Sequence, residues 1–383
     1  MPDRWISLHA FHRAGTDLLL GTAVDGLVRE LDGRLDRFFF LRYWEGGPHL
    51  RLRLLPRVPG DAPMIERRAT AVLEEHLAAH PTTVPWDRAR YALLARELAR
   101  QEGLAAYDHR LRPDDRVEAI AYRPEYATFG GPEAVTAVER HFTDSSRIAL
   151  AILRGEPDHR RRLGHALAAM MLTLMAWEPD PRHPGLSPAG ERDRWDPAPA
   201  RSRQMESFAR QREALAAQAE RCRRVAARAT PSGSHSPTTS SDSHSPTGRS
   251  AGGTPPGGPP GAGDAHDSLG TWWRSIDTLR RRLVALQRAG HFSPARGQET
   301  SRPLGGPGTP AGPRGPGSPG AAEDGTPADG TPADVERHDV LVVLNRCVHL
   351  FCNRLGLSIA EEAHLRYLTA VTLDGPARRE ETS

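Results

Sequence analysis

The sequence predicts an α+β fold: a single domain with a small β-sheet near the N-terminus packed with several helices, interrupted by long disordered insertions. Three observations carry that prediction. Strict alternation between leucine and basic residues follows a Gly-Gly-Pro turn at 46–48, which is the period of a half-buried strand. Apolar residues recur at helical spacing through much of the rest. Composition then shifts abruptly after Ala229, where Ser, Thr, Gly and Pro replace nearly every large apolar residue.

Taken in order, Trp5 to Phe11 alternates as a first strand, and Asp17 to Leu35 carries Leu18, Leu19, Val24, Leu27, Val28 and Leu31 on a helical stripe. Residues 38–53, FFFLRYWEGGPHLRLR, read as two strands joined by the turn. Beyond that turn His49, Arg51 and Arg53 share one strand face and Leu50, Leu52 and Leu54 the other. Like charges in a row repel unless something separates them, so this face is either fully wet or built to receive negative charge. Helices are expected at Ala62 to Ala79 and Arg88 to Gln101, then a short strand at Val117 to Tyr122. The Phe129-Gly130-Gly131-Pro132 stretch suits a tight loop that approaches other backbone closely. Helices resume at Pro132 to Phe142, Ser145 to Leu153 and Arg160 to Trp177, with Asp144-Ser145-Ser146 reading as a helix cap.

The domain is expected to run over 5–373, with disordered insertions at 230–266 and 291–335 and a docked helix at 268–290 between them. The insertions lack the apolar surface to offset chain entropy, whereas Trp272, Trp273, Ile276, Leu279, Leu283 and Leu286 give the helix one apolar face to bury. Asp339 to Leu357 is strongly apolar; Gly356 ends it, and Ser358 with Glu361 forms a capping box for a last helix. His349 and Asn353 sit four apart on the apolar helix with Arg354 beside them, and such groups demand partners if buried.

Composition narrows the function classes. All 51 basic residues are arginine, nearly balanced by 48 acidic ones, so the net charge of +3 is weak support for nucleic-acid binding. The triplets Arg160-Arg161-Arg162 and Arg280-Arg281-Arg282 read as solvated helix faces. Three cysteines with no CxxC suggest a reduced, cytoplasmic setting, and no signal peptide or membrane span is expected. No HExxH, zinc spacing or GxGxxG after a strand is present, so neither metal nor cofactor is expected.

Four motifs together resemble a known family: Phe-Phe-Phe-Leu-Arg-Tyr followed by Pro-His-Leu-Arg-Leu-Arg; Pro124-Glu125 with Phe129-Gly130-Gly131-Pro132; Glu139, Phe142, Asp144 and Ser145; and His349 with Asn353-Arg354-Leu355. In this order they resemble the thiopeptide-type bacteriocin biosynthesis domain, which is also the C-terminal glutamate-elimination domain of class I lantibiotic dehydratases. The chain reads as a stand-alone member. Such members either eliminate glutamate from esterified Ser or Thr to leave dehydroalanine or dehydrobutyrine, or join two dehydroalanines in a formal [4+2] cycloaddition that forms a pyridine macrocycle and releases the leader peptide.

The resemblance implies that His349, Arg51, Arg53 and Glu125 are catalytic, and that Arg42, His49, Thr128, Asn353 and Arg354 contact substrate. Guanidinium groups stabilise developing anionic charge and a histidine moves protons. Thr128 stands where eliminating members usually carry arginine, and losing that contact tips the expectation toward pyridine formation, which has no carboxylate leaving group to hold. Its chief demand is the positioning of two alkenes. The expected partner is a precursor peptide with its leader, together with other enzymes of the same pathway. A non-catalytic partner that holds a leader peptide is the reading of another class. The whole proposal requires the strand arginines and His349 to line a common cleft.

Overall fold

A computed structural model describes residues 5–13, 15–84, 87–101, 106–155, 158–177, 198–229, 263–295 and 332–373. Four antiparallel strands, β1 (Ile6–Phe11), β2 (Leu35–Tyr43), β3 (His49–Pro56) and β4 (Arg116–Ala119), lie in the order β2-β3-β1-β4. The Gly-Gly-Pro turn joins β2 to β3, with both glycines at positive φ (82° and 109°), a conformation side chains resist. Register places Leu50, Leu52 and Leu54 beside Ala10, Leu8 and Ile6 on one face. On the other face Arg51 lies between His9 and Leu41, and Arg53 between Ser7 and Phe39.

The first helical region, α1, is shorter than the sequence suggests and irregular. It comprises Thr16–Leu18, a π-helical stretch Leu19–Val24 and Asp25–Glu30. Leu35 belongs to β2, after a turn in which Gly33 takes a φ of 81°. Helix α2 (Ala62–Ala79) packs on the sheet through a buried stripe of Ile65, Ala69, Leu73 and Leu77. Helix α3 (Arg88–Gln101) forms a satellite cluster in which Tyr91 packs with Trp44.

One correction concerns the middle of the chain. After a single helical turn, α4 (Tyr126–Phe129), helix α5 runs unbroken from Pro132 to Arg154. Thr143, Ser145 and Ser146 are therefore buried helix residues rather than a cap. Two of these hydroxyls find acceptors inside the helix, Thr143 on the Glu139 carbonyl at 3.1 Å and Ser145 on that of Phe142 at 3.2 Å, which removes the usual objection to such residues mid-helix.

The remaining helices are α6 (His159–Trp177), α7 (Ala198–Ala229), α8 (Gly263–Arg288), α9 (Pro332–Leu355) and α10 (Ile359–Leu373). Helix α8 docks on the bundle, where Trp272 donates its Nε1–H to Thr173 at 3.2 Å and packs against Phe351. Most of both expected insertions, 230–262 and 296–331, lies outside the described residues. Within residues 291–295, expected to fall in the second one, Phe292 is buried against Gly130, Pro294 is buried too, and the Ser293 N–H donates to the Gly130 carbonyl at 3.2 Å. The Ser358–Glu361 capping box is formed, Glu361 accepting from the Ser358 amide at 2.8 Å. One continuous apolar core joins the sheet to the helices, and Cys222, Cys347 and Cys352 are free, buried thiols.

Strand β2 is an edge whose outward backbone groups are buried, and helix side chains satisfy them. The amides of Phe38, Phe40 and Arg42 donate to Thr143 Oγ1 (3.2 Å), Ser146 Oγ (3.4 Å) and Asn353 Oδ1 (2.9 Å). The carbonyls of Phe40 and Arg42 accept from Arg354 Nε (3.0 Å) and Asn353 Nδ2 (2.9 Å). Leaving such groups unpaired is costly, so Asn353→Leu should destabilise the protein by about 2 kcal/mol in urea titrations. Gly130→Ala should cost more than about 1 kcal/mol, because φ is 89° there and a Cβ would fall 2.5 Å from the Phe292 ring.

Candidate functional site

The polar strand face is neither wet nor disordered. His9, His49, Arg51 and Arg53 are each 3–4% exposed. Each guanidinium is aimed by a histidine: Arg53 donates to His9 Nε2 at 2.9 Å, and Arg51 Nε donates to His49 Nε2 at 3.3 Å. His49 completes its pairing by donating Nδ1–H to the Gly47 carbonyl at 2.8 Å. The imidazoles stack with centroids 5.0 Å apart, and the Arg51 guanidinium lies 3.2 Å over the Tyr43 ring. Burial first, and then the neighbouring arginine charges, hold both histidines far below their ordinary range, so both are neutral acceptors. Burial, followed by the Arg51 charge, pulls Arg53 down to about 9.

A cavity of about 20 Å³ opens on this face. Phe39, Leu41, Arg51 and Arg53 form its floor, Tyr122, Glu125 and Phe129 one wall, and Val135, Val138, Glu139 and Phe142 of α5 the other. Tyr122 donates to Glu139 Oε1 at 2.9 Å, while Arg37 reaches Oε2 at 2.7 Å. Burial and then the Glu139 carboxylate push the Tyr122 hydroxyl far up, so it stays protonated. The Glu125 carboxylate oxygens are buried. Their charge supports the cationic forms of Arg51 and Arg346, which burial opposes.

His349 stands apart from these walls. It is half-exposed on α9, with Nδ1 2.7 Å from Glu362 Oε2, and is absent from the cavity lining. Burial would raise Glu362, but the His349 and Arg366 charges hold it down to about 2, which suits a carboxylate that orients an imidazole. Arg346, one turn earlier on the same helix, bonds to the Thr128 carbonyl and to that of Ala295 at 3.2 Å. Helix α9 thus reaches the cavity wall through Arg346, and the Thr128 backbone is what it holds.

The other expected substrate contacts are engaged within the fold. Arg42 faces away from the cavity, paired with Asp17 at 2.5 Å and with the Arg354 carbonyl at 3.1 Å. Asn353 and Arg354 hold the β2 edge; Arg354 is fully buried, 4.8 Å over the Phe142 ring, and lowered to about 9 by burial. The arginine triplets are also partly committed, Arg162 to Asp17, Arg280 to Asp277 and Arg282 to Glu133. Sequence reasoning missed His9, Tyr122, Arg346 and Glu362. His9 shares a face with Ser7 and Phe11 in β1, but only the strand register, which sets it opposite Arg51, brings it within reach of Arg53. Among the described residues no group of three or more His, Cys, Asp or Glu is placed to hold a metal ion, and no helix is long and apolar enough to cross a membrane.

A model of the lantibiotic biosynthesis dehydratase C-terminal family matches residues 5–373. The chain belongs to that family. The family comprises elimination domains and pyridine synthases, enzymes that act on ribosomally made precursor peptides. Among solved structures, this member of the lantibiotic dehydratase C-terminal family is similar to the pyridine synthase TbtD from thiomuracin biosynthesis, with a TM-score of 0.64, 18% identity, and coverage of 96% of this chain and 97% of that one. It is similar to TsrL at a TM-score of 0.55 and 19% identity, over 96% of this chain and 93% of that one. Against the tRNA-dependent lantibiotic dehydratase MibB from Microbispora sp. 107891 the TM-score is 0.50 at 19% identity, over 98% of this chain but only 28% of that one. At such identities the likeness is one of fold. A search of curated proteins finds no match.

The buried histidines set an acid limit. Their folded-state pKa values lie below the unfolded value near 6.5, so the stability they contribute is complete above that pH and is lost as pH falls below it. Each should remove about 1.4 kcal/mol per pH unit once the unfolded form protonates. Urea titrations at pH 7.5, 6 and 5 should show this decline, and His9→Gln should flatten it.

Proposed function

We propose that this family member closes a pyridine macrocycle by the formal [4+2] cycloaddition of two dehydroalanines in a precursor peptide, releasing the leader. The observation that carries this reading is the pair of buried, histidine-aimed guanidinium groups at the floor of a cavity walled by Phe39, Tyr122, Phe129 and Phe142. Flat unsaturated residues suit aromatic walls. Arg51 and Arg53 are the cations among the lining residues, and Thr128 adds none. Elimination must stabilise both an enolate-like oxygen and a departing carboxylate. The cycloaddition needs one amide held in its iminol form and two alkenes held face to face.

In this reading one dehydroalanine, as its iminol tautomer, supplies the azadiene and the other the alkene. Arg51 and Arg53 donate to the amide oxygen whose electron density rises. His349, oriented by Glu362 through Nδ1, exchanges protons through Nε2 during tautomerisation and in the later loss of water and leader amide. A cavity of about 20 Å³ admits about one water, so the segment bearing Tyr122, Glu125 and Phe129 lifts from the sheet to admit the peptide. That Arg51, Arg53 and Glu125 share the cavity supports the arginine half of the expected cleft. His349 is not among the residues that line it.

Mass spectrometry of a synthetic precursor carrying two dehydroalanines should show a macrocycle and free leader amide. Loss of glutamate from an esterified precursor, with no cyclisation of the dehydrated one, would replace this reading by the elimination role. Arg51→Met should lower kcat by about 10²–10³, with the folded protein retained by circular dichroism. His349→Ala should slow turnover while leaving peptide affinity within about twofold.

A further inference from the structure

The two edges of the sheet differ: helices seal β2, while β4 is open. The Ile120 amide donates to the Ser7 carbonyl at 3.1 Å, which makes Ser7 and Ile120 a hydrogen-bonded antiparallel pair. Given the register His9↔Glu118 and Phe11↔Arg116, alternation makes those pairs hydrogen-bonded too. Val117 and Ala119 therefore turn their N–H and C=O groups outward. Arg116 and Ala119 are exposed, Val117 and Glu118 half-exposed.

The charges around this edge are one-sided. Asp114, Asp115 and Glu118 are already engaged by Arg13, His12 and Arg112. Arg116 and Arg123, exposed before and after the outward amides, have no ion-pair partner among the described residues. Three residues beyond Ala119 the chain reaches Tyr122, a wall of the cavity.

We propose that an acidic, extended segment of the precursor peptide adds to β4 as a fifth strand, bonded to the backbone of Val117 and Ala119 and flanked by Arg116 and Arg123, so that the segment to be modified leaves the sheet beside the cavity. Strand addition reads little sequence through the backbone, and the flanking arginines supply the preference for acidic residues. The inference rests on the proposed function, whose substrate it places.

Residue-resolved hydrogen exchange tests it, using the full chain and a synthetic peptide that carries an Asp- and Glu-rich extended segment ahead of two dehydroalanines. Saturation with peptide should slow exchange at Val117 and Ala119 by about tenfold or more and leave Arg116 and Glu118, which face β1, unchanged. N-methylation of the peptide at alternate positions should abolish the slowing for one parity only, a control that leaves the protein untouched. The double variant Arg116→Ser/Arg123→Ser should weaken binding and flatten its salt dependence. Cyclisation of the peptide without slowing at Val117 and Ala119 overturns the strand proposal and leaves the function standing. Slowing without turnover does the reverse. Slow exchange in the free protein that grows with its concentration assigns the edge to a second copy of the chain and also overturns the proposal.

Discussion

The hydrogen bonding of the β2 edge to α5 and α9 is the constraint from which the rest follows. A buried strand edge has to have its amides and carbonyls satisfied, and here the acceptors and donors come from two helices far apart in the chain. The sheet is thereby fixed against the bundle in one orientation, with the arginine face of β3 under α5. The arrangement carries a cost at Arg354. Its Nε serves Phe40, but its terminal nitrogens have no hydrogen-bond partner among the described residues and lie over the Phe142 ring. A cation–π contact of this kind offsets only part of the desolvation of a buried charge.

Across the sheet, Arg51 and Arg53 are oriented by neutral imidazoles. A carboxylate in place of His9 or His49 would aim a guanidinium equally well and cancel its charge. A neutral acceptor fixes direction without cancelling the charge, although Arg51 also feels the carboxylates of Glu45 and Glu125. The proposed cycloaddition, which raises electron density on an amide oxygen, has use for such groups. Glu139 performs the corresponding task for the opposite wall, holding Tyr122 and Arg37 on its two oxygens.

Local pattern made much of this legible. The turn at 46–48, the alternation that puts His49, Arg51 and Arg53 on one face, and the capping box at Ser358 all depend on residues a few positions apart. Whether that face was wet or buried was not legible, because its cover arrives with Tyr122 and Phe129, some seventy residues later. Asp144-Ser145-Ser146 read as a helix cap since such residues favour caps, yet the helix runs through them: Thr143 and Ser145 bond to carbonyls within α5, and Thr143 and Ser146 accept from β2. The polar residues of α9 plainly needed partners. That Asn353 would take the Arg42 backbone and His349 the Glu362 carboxylate depends on tertiary placement, which separates two neighbours in sequence into a structural and an accessible position.

The neutral state of His9 and His49 has one more consequence. The strand wall carries two positive charges beside imidazoles that burial keeps neutral, so its electrostatic character does not change as the pH falls from neutrality. Any acid limb in the turnover profile must then originate outside that wall, whereas Arg53, drawn down to about 9 by burial and the Arg51 charge, gives the wall an alkaline limb of its own.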